Sequence, residues 1–292
     1  MLGAIIGDVA GSYYEVLEAK EKKINKRPRK YEDRIKILDY DVPLFTDNST
    51  CTDDSVLTCA IYDAIKNGDC DYEKYLRIYG KREVELGKDN FGRNRFGKKF
   101  VEWLDGNYQG DSFGNGAAMR VSPVGYLYDS LKEVKENSYK VTIPSHNNPD
   151  AIKSAEAVAV SIFLLRNGYN KELLEKYIKK NYYDLNFDLE DLQREYIFTS
   201  KASESVPQAL FVFLQSNDFE DAIRKAISIG GDTDTIACIV GSLAEACYGV
   251  PEEMREKVRP YLYDYMYDLL KDRYYSKRKM TYERNNKTIN NW

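Results

Sequence analysis

Apolar residues recur along most of this chain at three- and four-residue spacing, the period of a helix with one buried face. Ile236, Ile239, Val240, Leu243 and Cys247 form one such stripe, closed by Gly249 and Pro251. Val56, Leu57, Ala60, Ile61, Ala64 and Ile65 form another, closed by Asn67-Gly68. The same reading predicts helices over 71–86, 151–167, 171–181, 188–196, 206–215 and 219–229, with a Tyr-rich one near 260–270. Residues 2–15 read as a helix too, although Gly3, Ala4, Gly7, Ala10 and Gly11 are interleaved with its apolar positions. So many glycines weaken a lone helix. They make sense where another backbone packs closely against it. Residues 35–45 suggest one short extended piece. The expectation is an all-α protein.

Two of these helices begin alike. Thr52-Asp53-Asp54-Ser55 opens the stripe at Val56, and Asp232-Thr233-Asp234-Thr235, after Gly230-Gly231, opens the stripe at Ile236. Asp and Thr are common N-cap residues, so capping alone is one reading. One cap needs one such side chain, and each cluster supplies several. The other reading is a hard cation held on two helices whose apolar faces are anchored. Thr52, Asp53, Asp54, Asp232, Asp234 and Thr235 offer carboxylates and hydroxyls with no Cys or His, a set that suits Mg²⁺ or Mn²⁺ and disfavours zinc. Four carboxylates in one place repel, which points to two cations, about 4 Å apart as in other two-metal sites.

Three further segments carry candidate chemistry. Asp111-Ser112-Phe113-Gly114-Asn115-Gly116-Ala117-Ala118-Met119-Arg120 pairs small residues with a helical pattern after Gly116, a phosphate cradle or simply a tight turn. Phe113 within it is placed to stack on a base. His146, the sole histidine, falls in a predicted loop before the 151–167 helix. Residues 20–36, around Arg27-Pro28-Arg29-Lys30, read as a solvated loop rather than an anion-binding patch, since no aromatics interleave with the charges before Tyr31. Tyr261, Tyr263, Tyr265 and Tyr267 share no single helical face, which suggests partly exposed packing or a partner surface. A phosphorylated small molecule or nucleotide fits these segments together. Phosphoryl and glycosyl transfer both remain open on the residues alone.

The bulk numbers narrow the class. A formal net charge of −4 with 31% charged residues suits a soluble protein and argues against a general nucleic-acid binder. No run approaches the roughly 18 apolar residues of a membrane span. Five cysteines without a C-x-x-C pair fit a reduced, cytoplasmic protein. Residues 271–292 hold seven basic residues against two acidic ones and read as a basic polar tail behind a single domain, 1–270. The candidate segments span that whole domain and require one continuous core.

Together the segments Gly3-Ala4-Ile5-Ile6-Gly7-Asp8-Val9-Ala10-Gly11-Ser12-Tyr13-Tyr14-Glu15, Thr52-Asp53-Asp54-Ser55, Phe113 to Arg120, Ser145-His146-Asn147 and Gly230 to Thr235 resemble the ADP-ribosylglycohydrolases, the family that includes the dinitrogenase-reductase-activating glycohydrolase. The resemblance implies a compact, orthogonal all-α bundle with two Mg²⁺ in a central cleft. It implies hydrolysis at the anomeric carbon of the distal ribose, releasing ADP-ribose from a modified protein or small molecule. By motif position Thr52, Asp53, Asp54, Asp232, Asp234 and Thr235 are the metal ligands. Glu15 lies on a covering loop as acid/base or gate, and it, Asp53 or Asp234 positions the attacking water. Ser112, Phe113, Gly114, Asn115 and Gly116 hold the diphosphate and adenosine end, and His146 faces the substrate. Thr233 should not ligate, and Asp8 is expected to pack or hydrogen-bond between helices. The competing classes are a two-metal nucleotide phosphohydrolase and a non-catalytic ADP-ribose binder or crystallin-like structural protein.

Overall fold

Residues 1–275 are described in a computed structural model of the chain. The fold is all-α, and among the described residues there is no strand, only two isolated bridges. The helix expected over 171–181 is Lys171–Asn181, and those expected over 71–86 and 219–229 are Tyr72–Glu85 and Phe219–Ser228.

The glycines of the first helix set the architecture. Leu2–Asn25 runs antiparallel to Thr233–Tyr248, with both buried along their contact. A Cβ on Gly3, Gly7 or Gly11 would overlap the backbone at Gly241, Ala237 or Thr233 respectively. The glycines are four residues apart, and so are their partners in the reverse direction, so the two helices meet backbone to backbone. Thr233 adds a hydroxyl donated to the Gly11 carbonyl at 2.9 Å. One turn beyond Gly11 this geometry delivers Glu15 to the start of the partner helix.

Asp8, fully buried on the same helix, fixes the third element, Asp53–Lys66. Its carboxylate accepts the Thr52 N–H at 2.9 Å, the Ser55 N–H at 3.1 Å, the Thr52 hydroxyl at 2.6 Å and the Ser55 hydroxyl. Thr52 itself caps, accepting from the Asp54 N–H at 3.3 Å. The donors of that helix's first turn are thus satisfied from two sides. The Ala- and Val-rich Pro149–Arg166 helix fills the opposite flank, with Ala155, Ala157, Val158, Ala159, Val160 and Ile162 inaccessible to solvent.

Several expectations are corrected. The first helix does not stop at residue 15: it continues to Asn25, so Glu15 sits within a helix and not on a covering loop. Residues 20–36 are not a solvated loop, because Tyr31–Ile35 is helical and Arg34 is buried against Glu18. His146 is not in a loop either. It ends the helix Leu131–His146, whose inner face carries Asn137, Ser138, Thr142 and Ser145 beside only Val134 and Val141, and which contains Pro144. Residues 35–45 hold a 3₁₀ turn, Lys36–Leu38, instead of an extended piece. The last described helix, Asp264–Tyr274, crosses residue 270 and is tied down by Tyr274, whose hydroxyl donates to Glu245 at 2.7 Å. The tail expected from 271 lies outside the described residues from 276 onward. The clustered tyrosines are partly buried among other rings, Tyr261 on Phe45 at 5.7 Å and Tyr265 against Tyr79 at 5.7 Å. None of the described helices is long and apolar enough to cross a membrane.

Candidate active site

The two acidic helix starts face each other across one cavity of about 590 Å³. Its walls bring together Glu15, Thr52, Asp53, Asp54, Ser112, Phe113, Gly114, Asn115, Gly116, His146, Asp232, Asp234 and Thr235. Residues up to 220 positions apart in sequence meet there because the first helix touches both starts, through Asp8 at one and through the glycine contact at the other.

Carboxylate oxygens of Asp8, Asp54 and Asp234 lie within 4.8 Å of one another, and so do those of Glu15, Asp232 and Asp234. Asp234 belongs to both groups. Asp54 Oδ2 is near two hydroxyls, Thr52 at 3.2 Å and Thr235 at 3.3 Å, while Asp54 Oδ1 is buried with no hydrogen-bond partner. An orphaned carboxylate oxygen in an oxygen-only nest is costly unless a cation meets it, and the residues fit a hard divalent ion. The capping alternative separates at the two starts. Thr52 caps its helix, whereas the side chain of Asp232 makes no cap bond and instead accepts from Asn115 Nδ2 at 2.8 Å.

Electrostatics express the same crowding. Desolvation first, then Asp8 and Asp232, pushes the Asp53 carboxyl up to about 8. Desolvation raises Asp8 to about 6 against the hydrogen bonds from Ser55 and Thr52. Asp54 and Asp234 are raised well above the usual range, by burial and then by neighbouring carboxylates. Folded carboxylates with raised pKa hold protons that the unfolded chain, titrating near 3.8, has released. Their stabilisation is full below that value and is lost as pH climbs through about 6 and about 8. The metal-free protein is therefore expected to melt at lower temperature as pH rises from about 5 to about 8.5. Calorimetry in EDTA checks this, and a flat or rising melting temperature contradicts it.

The turn through Asp111–Asn115 is stitched on two sides. Asn147 N donates to the Gly110 carbonyl at 2.7 Å on one side, and Asn115 N to Ser200 O at 2.8 Å with Ala202 N to Phe113 O at 3.0 Å on the other. The helix that follows, Gly116–Arg120, is only five residues long. Phe113 stays 45% exposed, a large ring left open at the cavity rim, with Lys99 Nζ 5.2 Å from its centre. Gly116 is required by His146: a Cβ there would stand 2.9 Å from Nε2. Ser145 Oγ accepts from Arg120 Nη2 at 2.7 Å and lies 2.8 Å from His146 Nδ1, a contact in which either atom can donate. Burial, then Arg120, pushes the imidazole well below its ordinary 6.5, so the ring is neutral.

Two arginines escaped the sequence reading. Arg120 is fully buried on the cavity floor, held by Val141 O at 3.0 Å and Ser145, with Nε and Nη1 unpartnered and its pKa brought down to about 9 by burial against the pull of Asp53. Arg93, from the glycine-rich stretch after Leu86, pairs with Glu15 and, at 2.8 Å, with Asp89. Burial raises Glu15 and Arg93 opposes it. Arg120 ends the Asp111–Arg120 segment, but nothing in its spacing marks it as buried. Arg93 has no local signal at all.

Against known proteins, the family description "ADP-ribosylglycohydrolase" matches residues 1–284. The "ADP-ribosylarginine hydrolase Tri1" of Pseudomonas putida is 26% identical over 88% of this chain and 72% of its own length. Human "ADP-ribosylhydrolase ARH3" is 26% identical over 51% of this chain and 55% of its own. A solved structure titled "ADP-ribosylglycohydrolase-related protein complex" superposes with a TM-score of 0.64 at 19% identity, over 92% of this chain and 93% of that one, and shares the fold. The chain is a hydrolase. The chain belongs to the ADP-ribosylglycohydrolase family, whose members are metal-dependent.

Proposed function

We propose that this enzyme uses divalent cations, Mg²⁺ or Mn²⁺ and two in number, to hydrolyse the bond at the anomeric carbon of the distal ribose, releasing ADP-ribose from an ADP-ribosylated protein or small molecule. The observation that carries the reading is the buried, unpartnered Asp54 Oδ1 among the converging carboxylates of Asp8, Asp54 and Asp234, with Glu15 and Asp232 gathered on the other side of Asp234; Asp53 lines the same cavity but belongs to neither group. The names of the Pseudomonas putida and human relatives support the substrate class. Thr52, Asp53, Asp54, Asp232, Asp234 and Thr235 would hold the cations, which supply charge stabilisation and orient the distal ribose hydroxyls. Glu15, raised by burial and pinned by Arg93, is the group to take a proton from the attacking water. His146, neutral and lining the cavity, faces the substrate. Five unpaired thiols, three of them buried, support a reducing cytoplasmic setting.

Phe113 gives a direct test of the adenosine end. Base stacking is worth about 1–3 kcal/mol, so Phe113→Ala is expected to raise KM about 5- to 150-fold. Its kcat is expected to stay within about threefold, because the ring makes the same contact in ground and transition states. Steady-state kinetics on a mono-ADP-ribosylated substrate decide it. A fall in kcat at unchanged KM contradicts the placement.

A further inference from the structure

Glu18 and Arg34 are buried and doubly paired, Nε to Oε1 at 3.0 Å and Nη2 to Oε2 at 2.6 Å. Arg34 gives two further donors to backbone carbonyls, Gln193 at 3.2 Å and Tyr196 at 2.7 Å. The guanidinium stands against Gly230, where any Cβ would overlap it, and the Tyr196 ring stands against Gly231 in the same way. These two glycines have φ of +74° and +77°. Left-handed and without side chains, they form the most pliable point in the chain leading to Asp232. Asp232 adds no side-chain cap bond to the helix it starts. Past the turn, Asn115 holds the Asp232 carboxylate at 2.8 Å and the Thr233 hydroxyl is tied to Gly11 O at 2.9 Å, while within the turn Gly230 N–H bonds only Ile227 O at 3.0 Å; ligating carboxylates must hold their places to about 0.5 Å.

We propose that the Glu18–Arg34 pair, together with Tyr196, is a positioning brace that fixes the Gly230-Gly231 turn and so sets Asp232 and Asp234 opposite Thr52, Asp53 and Asp54. This rests on the reading of those residues as metal donors. The brace touches the outside of the turn and no reacting atom. A buried ion pair contributes little net stability and can be exchanged for apolar residues of similar volume. Removing both partners together leaves no unpaired buried charge between them, and Tyr196→Leu, which keeps the pair and its bonds to the Gln193 and Tyr196 carbonyls, separates position from folding.

The test compares wild type with the double variant Glu18→Leu/Arg34→Met and with Tyr196→Leu. Free Mn²⁺ is titrated by electron paramagnetic resonance, and amide exchange is followed at Thr235 and Ile236, whose N–H groups bond Asp234 Oδ1 and Asp232 O, both at 2.9 Å. Loss of groups that orient ligands weakens metal binding about 10- to 100-fold, and that rise in Kd is expected in both variants. Exchange at the two amides is expected to quicken about tenfold or more, with amides of Asp53–Lys66 unchanged. Unaltered Kd and exchange in both variants, or equal loosening of Asp53–Lys66, overturns the brace. Should the double variant not fold, Arg34→Lys and Tyr196→Leu carry the same two readouts. Lysine reaches fewer of the four acceptors, so a smaller shift in the same direction is expected. If wild type takes up no Mn²⁺, the metal reading fails, and the exchange arm alone still decides the brace.

Discussion

Asp234→Asn is expected to lower kcat by about 10³-fold in saturating Mg²⁺, because it removes a charge that belongs to both carboxylate groups. Metal charge stabilisation is worth several kcal/mol, and each 1.4 kcal/mol is about tenfold in rate. Asparagine keeps the volume and one oxygen, so the packing around the site survives. The metal-free variant is also expected to melt at or above the wild-type temperature at neutral pH, since asparagine escapes the cost of burying a carboxyl that the unfolded chain keeps ionised. Rate lost without stability lost is the signature of a functional cluster. A variant with near-normal kcat would remove Asp234 from the site. One that simply unfolds would make the cluster structural.

Gly7→Val is expected to do the reverse, disabling the fold before the chemistry. A side chain at Gly7 meets the Ala237 carbonyl and comes within 2.8 Å of Cys238 N, all of it backbone that cannot rotate away. Overpacking at such a contact costs about 3 kcal/mol or more, which in a domain of this size lowers the melting temperature by roughly 6–12 °C. The shift forces Leu2–Asn25 away from Thr233–Tyr248, and Asp8 and Glu15 travel with it. Differential scanning calorimetry reads the loss. A melting temperature within about 2 °C of wild type would mean the helices do not meet as described.

The glycines at 3, 7 and 11 were legible as a sign of close backbone approach, but their partner was not, because nothing local in Thr233, Ala237 or Gly241 announces it. Thr52-Asp53-Asp54 and Asp232-Thr233-Asp234-Thr235 were readable as clusters because oxygen-bearing side chains in excess of what a cap requires stand out against a plain apolar stripe. Helix Leu131–His146 was not readable, since its buried face is largely hydroxyl and amide, and Pro144 looks like a breaker. The stretch 20–36 misled for an electrostatic reason. A run of Lys and Arg reads as solvated, and only the buried carboxylate of Glu18 makes Arg34 an interior residue. Arg93 reached the cavity through a tertiary ion pair with Glu15, a contact that spacing cannot encode.

Cation-dependent cleavage at the distal ribose is the chemistry proposed for the converging carboxylates. A panel of defined ADP-ribosyl substrates, including arginine- and serine-linked peptides, incubated with Mg²⁺ or with EDTA and resolved by mass spectrometry, tests it most directly. Intact ADP-ribose is expected from at least one substrate with Mg²⁺ and from none with EDTA. Release of AMP or phosphate, or turnover indifferent to EDTA, would contradict the account.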